Sequence, residues 1–137
     1  MAWTCPRCGR SFGRRDQPHS CTPALDLDDW LAARPPLVRE VVDATAAALA
    51  DYDDVTFEAT KAAVMVKRAR TFAEVRPRRA GVELSFIVSR RVDDARIAST
   101  LDLTRTRIVH RLELASAAEL DDQVRAWLTE AYRASPA

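Results

Sequence analysis

The first strong periodicity in the chain is helical. Leu37, Val38, Val41, Val42, Thr45 and Leu49 recur at the spacing of one helix face, Pro36 suits the first turn, and the pattern runs out near Asp51. A shorter helical stretch precedes it, with Asp26, Asp28 and Asp29 crowding its start and Pro35 and Pro36 punctuating it after Arg34. From Val55 the period changes to two. Val55 and Phe57 alternate with polar residues, and runs at 63–66, 72–75 and 82–88 read as further short strands separated by turn-like or charged breaks. Val82, Leu84, Phe86 and Val88 share one face and Glu83 and Ser85 the other, so one side of the sheet is expected to be buried. After a loop or short helix around 92–100, residues 105–114 alternate again, with Ile108, His110, Leu112 and Leu114 on one side. Ser116 and Glu119 have capping-box spacing, and Leu120, Val124, Trp127, Leu128, Ala131 and Tyr132 form the apolar stripe of a last helix. The pattern predicts an α+β fold: an antiparallel meander of about five strands covered by helices.

Composition places this pattern in one folded unit. The chain has 137 residues, 47% hydrophobic and 30% charged, enough for one core and too few for two ordinary domains. No basic stretch followed by an apolar one opens the chain, and its longest apolar-leaning run, 44–50, is far short of a membrane span. The expected location is cytoplasmic, with no membrane partner. No repeat or low-complexity tract is visible.

All three cysteines lie in WTCPRCGRSFGRRDQPHSC, residues 3–21, with His19. Three thiols cannot all pair within one chain, and a reducing compartment discourages disulfides. Cys5 and Cys8 form a CxxC, whose turn presents two thiolates to one ion, and Pro6 and Gly9 suit that turn. His19 and Cys21 supply a second pair. Three thiolates and one imidazole favour Zn2+, and a set closed by four protein ligands is structural, with no position left for a water. The competing readings are a redox CxxC or unrelated buried thiols. Only Trp3 and Phe12 give this segment any core of its own, so the ion is expected to hold residues 1–21 as a zinc knuckle on a domain of residues 22–137.

Beyond the knuckle, the opening WTCPRCGRSF with QPHSC, then TKAAVMVKRARTFAEVRPRR, GVELSFIV and AWLTEAYRA together resemble the small bacterial family named domain of unknown function 5655. The resemblance spans nearly the whole chain. It implies an α+β domain and no established reaction, and it tilts the reading toward a binding module associated with nucleic acid. It carries over no catalytic residue.

Charge is segregated along the chain although the net is only +1. Residues 22–60 hold two basic and nine acidic side chains, while 61–91 hold nine basic and two acidic. Strands about 4.8 Å apart can bring such cations together on one face. Arg105, Arg107 and Arg111 share the odd-numbered face of the last strand, and Arg7, Arg10, Arg14 and Arg15 add cations on the knuckle. The expected partner is nucleic acid or another anionic, phosphate-bearing ligand, with Lys61, Lys67, Arg70 and Arg76 as preferred contacts and Phe72 as an aromatic that would stack on a base if exposed. The plain alternative is a solvated sheet face with Phe72 in the core.

An enzyme is the less favoured class. His110 on its strand is a general-base candidate for a ligand pocket with Arg70 or Arg76, against the commoner role of a hydrogen-bonded core histidine. Asp51, Asp53 and Asp54 straddle a helix end, where solvated acids are common. No GxGxxG, Walker or GxSxG sequence is present, and three glycines leave little for a phosphate cradle. A protein-interaction domain is the third class, and the sequence assigns no oligomeric state.

Overall fold

The computed structural model describes residues 2–19, 21 and 25–136. A two-stranded ribbon, β1 (Trp3–Thr4) and β2 (Ser11–Phe12), precedes two helices, α1 (Leu27–Ala32) and α2 (Pro36–Ala48). Six strands follow: β3 (Thr56–Ala59), β4 (Val64–Arg68), β5 (Arg70–Arg78), β6 (Gly81–Val88), β7 (Ser99–Thr104) and β8 (Arg107–Leu114). The chain closes with α3 (Asp122–Ala134). This is the expected α+β fold, and no described helix is long and apolar enough to cross a membrane. The boundary expected between residues 21 and 22 falls beside 22–24, which lie outside the described residues.

The six strands form one antiparallel sheet in the order β3-β4-β5-β6-β8-β7. Two expectations are corrected here. The segment read as a loop or short helix around 92–100 runs into a sixth strand, β7, and β8 inserts between β6 and β7, so the meander is broken at its last step. All six residues of β7 are exposed, so the buried alternation that betrays a half-buried strand is missing. Its Leu101 and Leu103 lie at the sheet's edge instead of in its core.

One face of the sheet is the core face. Val64, Val66, Val75, Leu84, Phe86 and Leu112 are buried beneath α2 and α3, whose stripes contribute Val38, Val41, Val124, Trp127 and Leu128. Burying a side chain of this size stabilises by about 1.5–3 kcal/mol, so the layer of helices on this face carries most of the fold's driving force. Helix α3 starts at Asp121, whose carboxylate accepts from the Val124 N–H at 3.1 Å. The capping box of Ser116 and Glu119 is real but closes the short 3-10 turn Ala117–Glu119 ahead of it.

A bulge decides the fate of Phe72. Pairing of β4 with β5 shifts register between Val66↔Ala73 and Lys67↔Thr71, leaving Phe72 as the extra residue. Alternation from Val75 would point Phe72 to the open face with Glu74; the bulge turns it into the core, where it is 1% exposed and meets Tyr132 edge-on at 5.9 Å. Just before it, Ala69 adopts φ +63, the left-handed region, at the tight bend between β4 and β5.

Two stretches of sequence that carry the family resemblance meet at this bend. Arg68 donates to Asp54 at 2.9 Å and to the Ser135 carbonyl at 3.0 Å, and its guanidinium lies 4.3 Å over the Tyr132 ring. Tyr132 donates its hydroxyl to Asp54 and stacks on Tyr52 at 3.8 Å. Asp54, read from sequence as a solvated acid, therefore ties the end of α3 to the sheet.

Candidate metal centre and basic groove

A turn sets two of the knuckle's candidate ligands, Cys5 and Cys8, side by side. The Gly9 N–H donates to the Cys5 carbonyl at 2.8 Å and the Cys5 N–H to the Arg10 carbonyl at 2.9 Å, and Gly9 takes φ +74, which costs glycine little. Cys5, Cys8, His19 and Cys21 place their ligand atoms within 4.8 Å of one another, a group that could hold a metal ion. Cys5 Sγ lies 3.7 Å from Cys21 Sγ, and Cys8 Sγ lies 3.5 Å from His19 Nε2. His19 Nδ1 is 2.6 Å from the Gln17 carbonyl, so Nδ1–H donates there and Nε2 is left free to ligate. The imidazole stacks on Phe12 at 4.1 Å and meets Trp3 edge-on.

Burial opposes ionisation of Cys5, but the backbone N–H groups of Cys8 and Arg7 and the neighbouring thiols outweigh it and bring its pKa down to about 6. Cys21 is pushed up to about 11 by desolvation and by its neighbours' sulfurs. A group with one sulfur poised to ionise and another held back by that first charge is an electrostatic arrangement that a cation relieves.

The knuckle docks on the open face of the sheet. Lys67 donates from Nζ to the Ser11 carbonyl at 2.8 Å and to Glu58 at 3.2 Å, Arg10 donates to the same Glu58 carboxylate at 2.9 Å, and Lys67 Nζ lies 4.8 Å over the Phe12 ring. Lys67 is 6% exposed. It is thus a strut between knuckle and sheet, and its ammonium is already engaged.

Between this strut and β7 runs a groove of about 860 Å3. Its floor is the open face of β4, β5, β6 and β8, with Met65, Ile87 and Val109 as apolar patches; Arg10, Gly13, Arg14 and Gln17 of the knuckle form one wall, and Leu101 and Leu103 the other. Eight basic side chains line it (Arg10, Arg14, Lys67, Arg70, Arg76, Arg78, Arg107 and Arg111) against two acidic ones, Glu74 and Glu83. Glu74 holds Arg76 at 2.6 Å; Glu83 holds Arg78 at 2.7 Å and reaches Arg111 at 3.8 Å.

Of the sequence candidates, Arg70 and Arg76 line the groove, and Lys67 lies at its edge as the strut. Lys61 is exposed in the turn between β3 and β4 and away from the groove. The expectations for Phe72 and His110 are corrected. Phe72 is a core residue and offers no base a surface. His110 is fully buried, stacked on Phe86 at 5.0 Å, accepting from the Val92 N–H at Nε2 (3.0 Å) and donating from Nδ1 to the Ile108 carbonyl (3.0 Å). Both ring nitrogens are satisfied inside the core, so it faces no ligand pocket. The groove adds Gly13, Arg14, Arg107 and Arg111 to the preferred set. Arg107 and Arg111 were legible as the odd-numbered face of their strand, whereas nothing local to Gly13 and Arg14 says that the knuckle folds back over the sheet.

A family model described as Domain of unknown function (DUF5655) matches residues 27–135. No curated protein and no solved structure was found to match the chain.

Proposed function

The chain belongs to the DUF5655 family, and we propose that it is a binding module in which a zinc-held knuckle and the open sheet face together form a groove for an anionic ligand, nucleic acid or another phosphate-bearing molecule. The knuckle comprises residues 1–21 and the domain residues 22–137. The observation that carries the reading is the groove's lining, eight cations to two carboxylates around an apolar floor. Phosphate oxygens suit guanidinium forks, and apolar floor positions give sugars or bases a surface without demanding a sequence.

Zinc is the ion that suits the knuckle. Bonds of about 2.3 Å to sulfur and 2.0–2.1 Å to nitrogen at the tetrahedral angle give edges of about 3.8 Å between sulfurs and about 3.6 Å between sulfur and nitrogen. The 3.7 and 3.5 Å separations fit both. Four protein ligands close the tetrahedron, so the ion's work is structural: it holds Gly13 and Arg14 where they wall the groove. The thiols remain available to a metal in a reducing compartment such as the cytoplasm.

The test is a titration of the zinc-loaded protein with labelled single-stranded and duplex oligonucleotides over a range of salt. Binding is expected at low salt, with log K falling linearly in log salt by about 0.7 per phosphate contacted on a single strand. No binding to either at low salt would overturn the proposal.

A further inference from the structure

The cations of the groove divide into two populations. Arg10 and Lys67 share Glu58, Arg76 has Glu74, and Arg78 and Arg111 have Glu83. The guanidiniums of Arg14, Arg70 and Arg107 have no carboxylate or hydrogen-bond partner among the described residues, although the Arg14 carbonyl accepts from the Gln17 N–H at 3.3 Å. These three lie at one end of the groove. Arg107 precedes the Val88↔Ile108 pair by one residue and Arg70 precedes the Phe86↔Ala73 pair by three, so both strands bring them to the same end of β6, one on each side of it. Gly13 closes in from the knuckle: a Cβ there would sit 3.1 Å from Arg70 Cγ, and Arg14 follows directly. Arg70 and Arg107 also share the lining of a small adjoining cavity near the end of α3.

We infer that Arg14, Arg70 and Arg107 form a phosphate subsite at this end of the groove, which seats a terminal phosphate monoester such as the 5′-phosphate of a nucleic-acid strand lying along the apolar floor. The inference rests on the anion-groove reading and adds where the ligand is anchored and by which end. Three guanidiniums without counter-charges match a group carrying about −1.5 to −2 better than the single charge of a diester. Arg14 and Arg70 are exposed and Arg107 is half-buried; a partly buried charge without a partner is costly, and a guanidinium fork is the donor geometry that phosphate oxygens accept. In keeping with this crowding, burial first, and then the charge of Arg70, hold the Arg107 pKa below the usual arginine value. The remaining cations, held by Glu58, Glu74 and Glu83, would line the path of the strand without adding a second anchor.

Direct binding of two oligonucleotides of one sequence, one 5′-phosphorylated and one 5′-hydroxyl, tests this on the full zinc-loaded chain. The wild type is expected to prefer the phosphorylated strand by about tenfold or more, the range given by hydrogen bonds to charged groups. In Arg70→Gln/Arg107→Gln the preference collapses toward one and the salt slope on the phosphorylated strand falls by about 0.7, the share of the one phosphate those two arginines hold. Arg70→Lys/Arg107→Lys, which keeps charge and loses the forks, retains part of it. Arg90→Gln, whose guanidinium pairs with Glu130 outside the groove, keeps the full preference. Thermal unfolding checks the fold of the glutamine variant, which loses two unpaired cations and is expected to melt no lower than the wild type. Inorganic phosphate that raises the wild-type melting temperature above a chloride control of equal ionic strength, and does not do so in the glutamine variant, supports the subsite with a free phosphate compound as the source. Strands bound equally with and without the 5′-phosphate, together with no stabilisation by inorganic phosphate, would overturn the subsite and leave the groove standing. A preference that survives in the glutamine variant would do the same. A wild type that binds neither strand at low salt and is not stabilised by phosphate would overturn both.

Discussion

His110 shows how a residue type associated with catalysis is used as a building block. Its ring fills the space against Phe86 and its two nitrogens close a hydrogen-bond chain from the Val92 N–H to the Ile108 carbonyl. Burial, opposed by the Ile108 carbonyl and reinforced by Arg90 and Arg91, with Glu130 acting the other way, holds its pKa below the ordinary 6.5. The unfolded chain therefore takes up this proton more readily than the folded one. Its contribution to stability is complete above about pH 6.5 and is lost as pH falls through the depressed folded value. Urea unfolding at pH 8 and pH 5.5 is expected to show that loss. His110→Leu is expected to reduce it while costing about 1–3 kcal/mol at pH 8 for the Val92 N–H left buried without an acceptor. Asp54 acts in a lower window: the Tyr132 hydroxyl and Arg68 depress its pKa from 3.8, so its share is present above that value and is lost only in stronger acid.

At the scale of elements, the parts most readable in the sequence are those whose signals are local and whose burial is one-sided. Strand β6 and helix α3 announce themselves because Val82, Leu84, Phe86 and Val88, and the stripe from Leu120 to Tyr132, each face one core. The four candidate ligands stand out because chelation fixes both residue type and spacing. Strand β7 is not readable in the sequence, since an edge strand with no buried side has no reason to alternate, and Phe72 is not placed by alternation because a single bulged residue reverses facing. The knuckle has a small core, which among the described residues consists of Cys5, Cys8 and Phe12 with Trp3 packed against them. Chelation should therefore free residues 2–21 while the core of α2, α3 and the sheet persists. Limited proteolysis after metal removal is expected to cut within 7–19 and leave a resistant fragment that begins between residues 8 and 20; equal resistance of the knuckle with and without metal would contradict the zinc staple.

At the scale of the molecule, the two faces of one sheet are given different tasks. The helices take the face that alternation marks as apolar, and the other face, with Met65, Ile87 and Val109 set among arginines, is left for the knuckle to roof on one side. Sequence could report that cations were abundant on the strands, but the decision between a wet surface and a groove depended on where residues 10–17 come to rest. That depends on Glu58 gathering Arg10 and Lys67, a contact between segments nearly fifty residues apart that no local pattern encodes. On the proposed reading the groove requires metal, knuckle and sheet together. The most direct test is the affinity for a 5′-phosphorylated single strand, at one low salt concentration, of the zinc-loaded protein, the chelated protein and the chelated protein given back zinc. The account predicts a loss of about tenfold or more on chelation, the worth of a wall carrying Arg10 and Arg14, and recovery when zinc returns. An affinity unchanged by removal of the metal would contradict it.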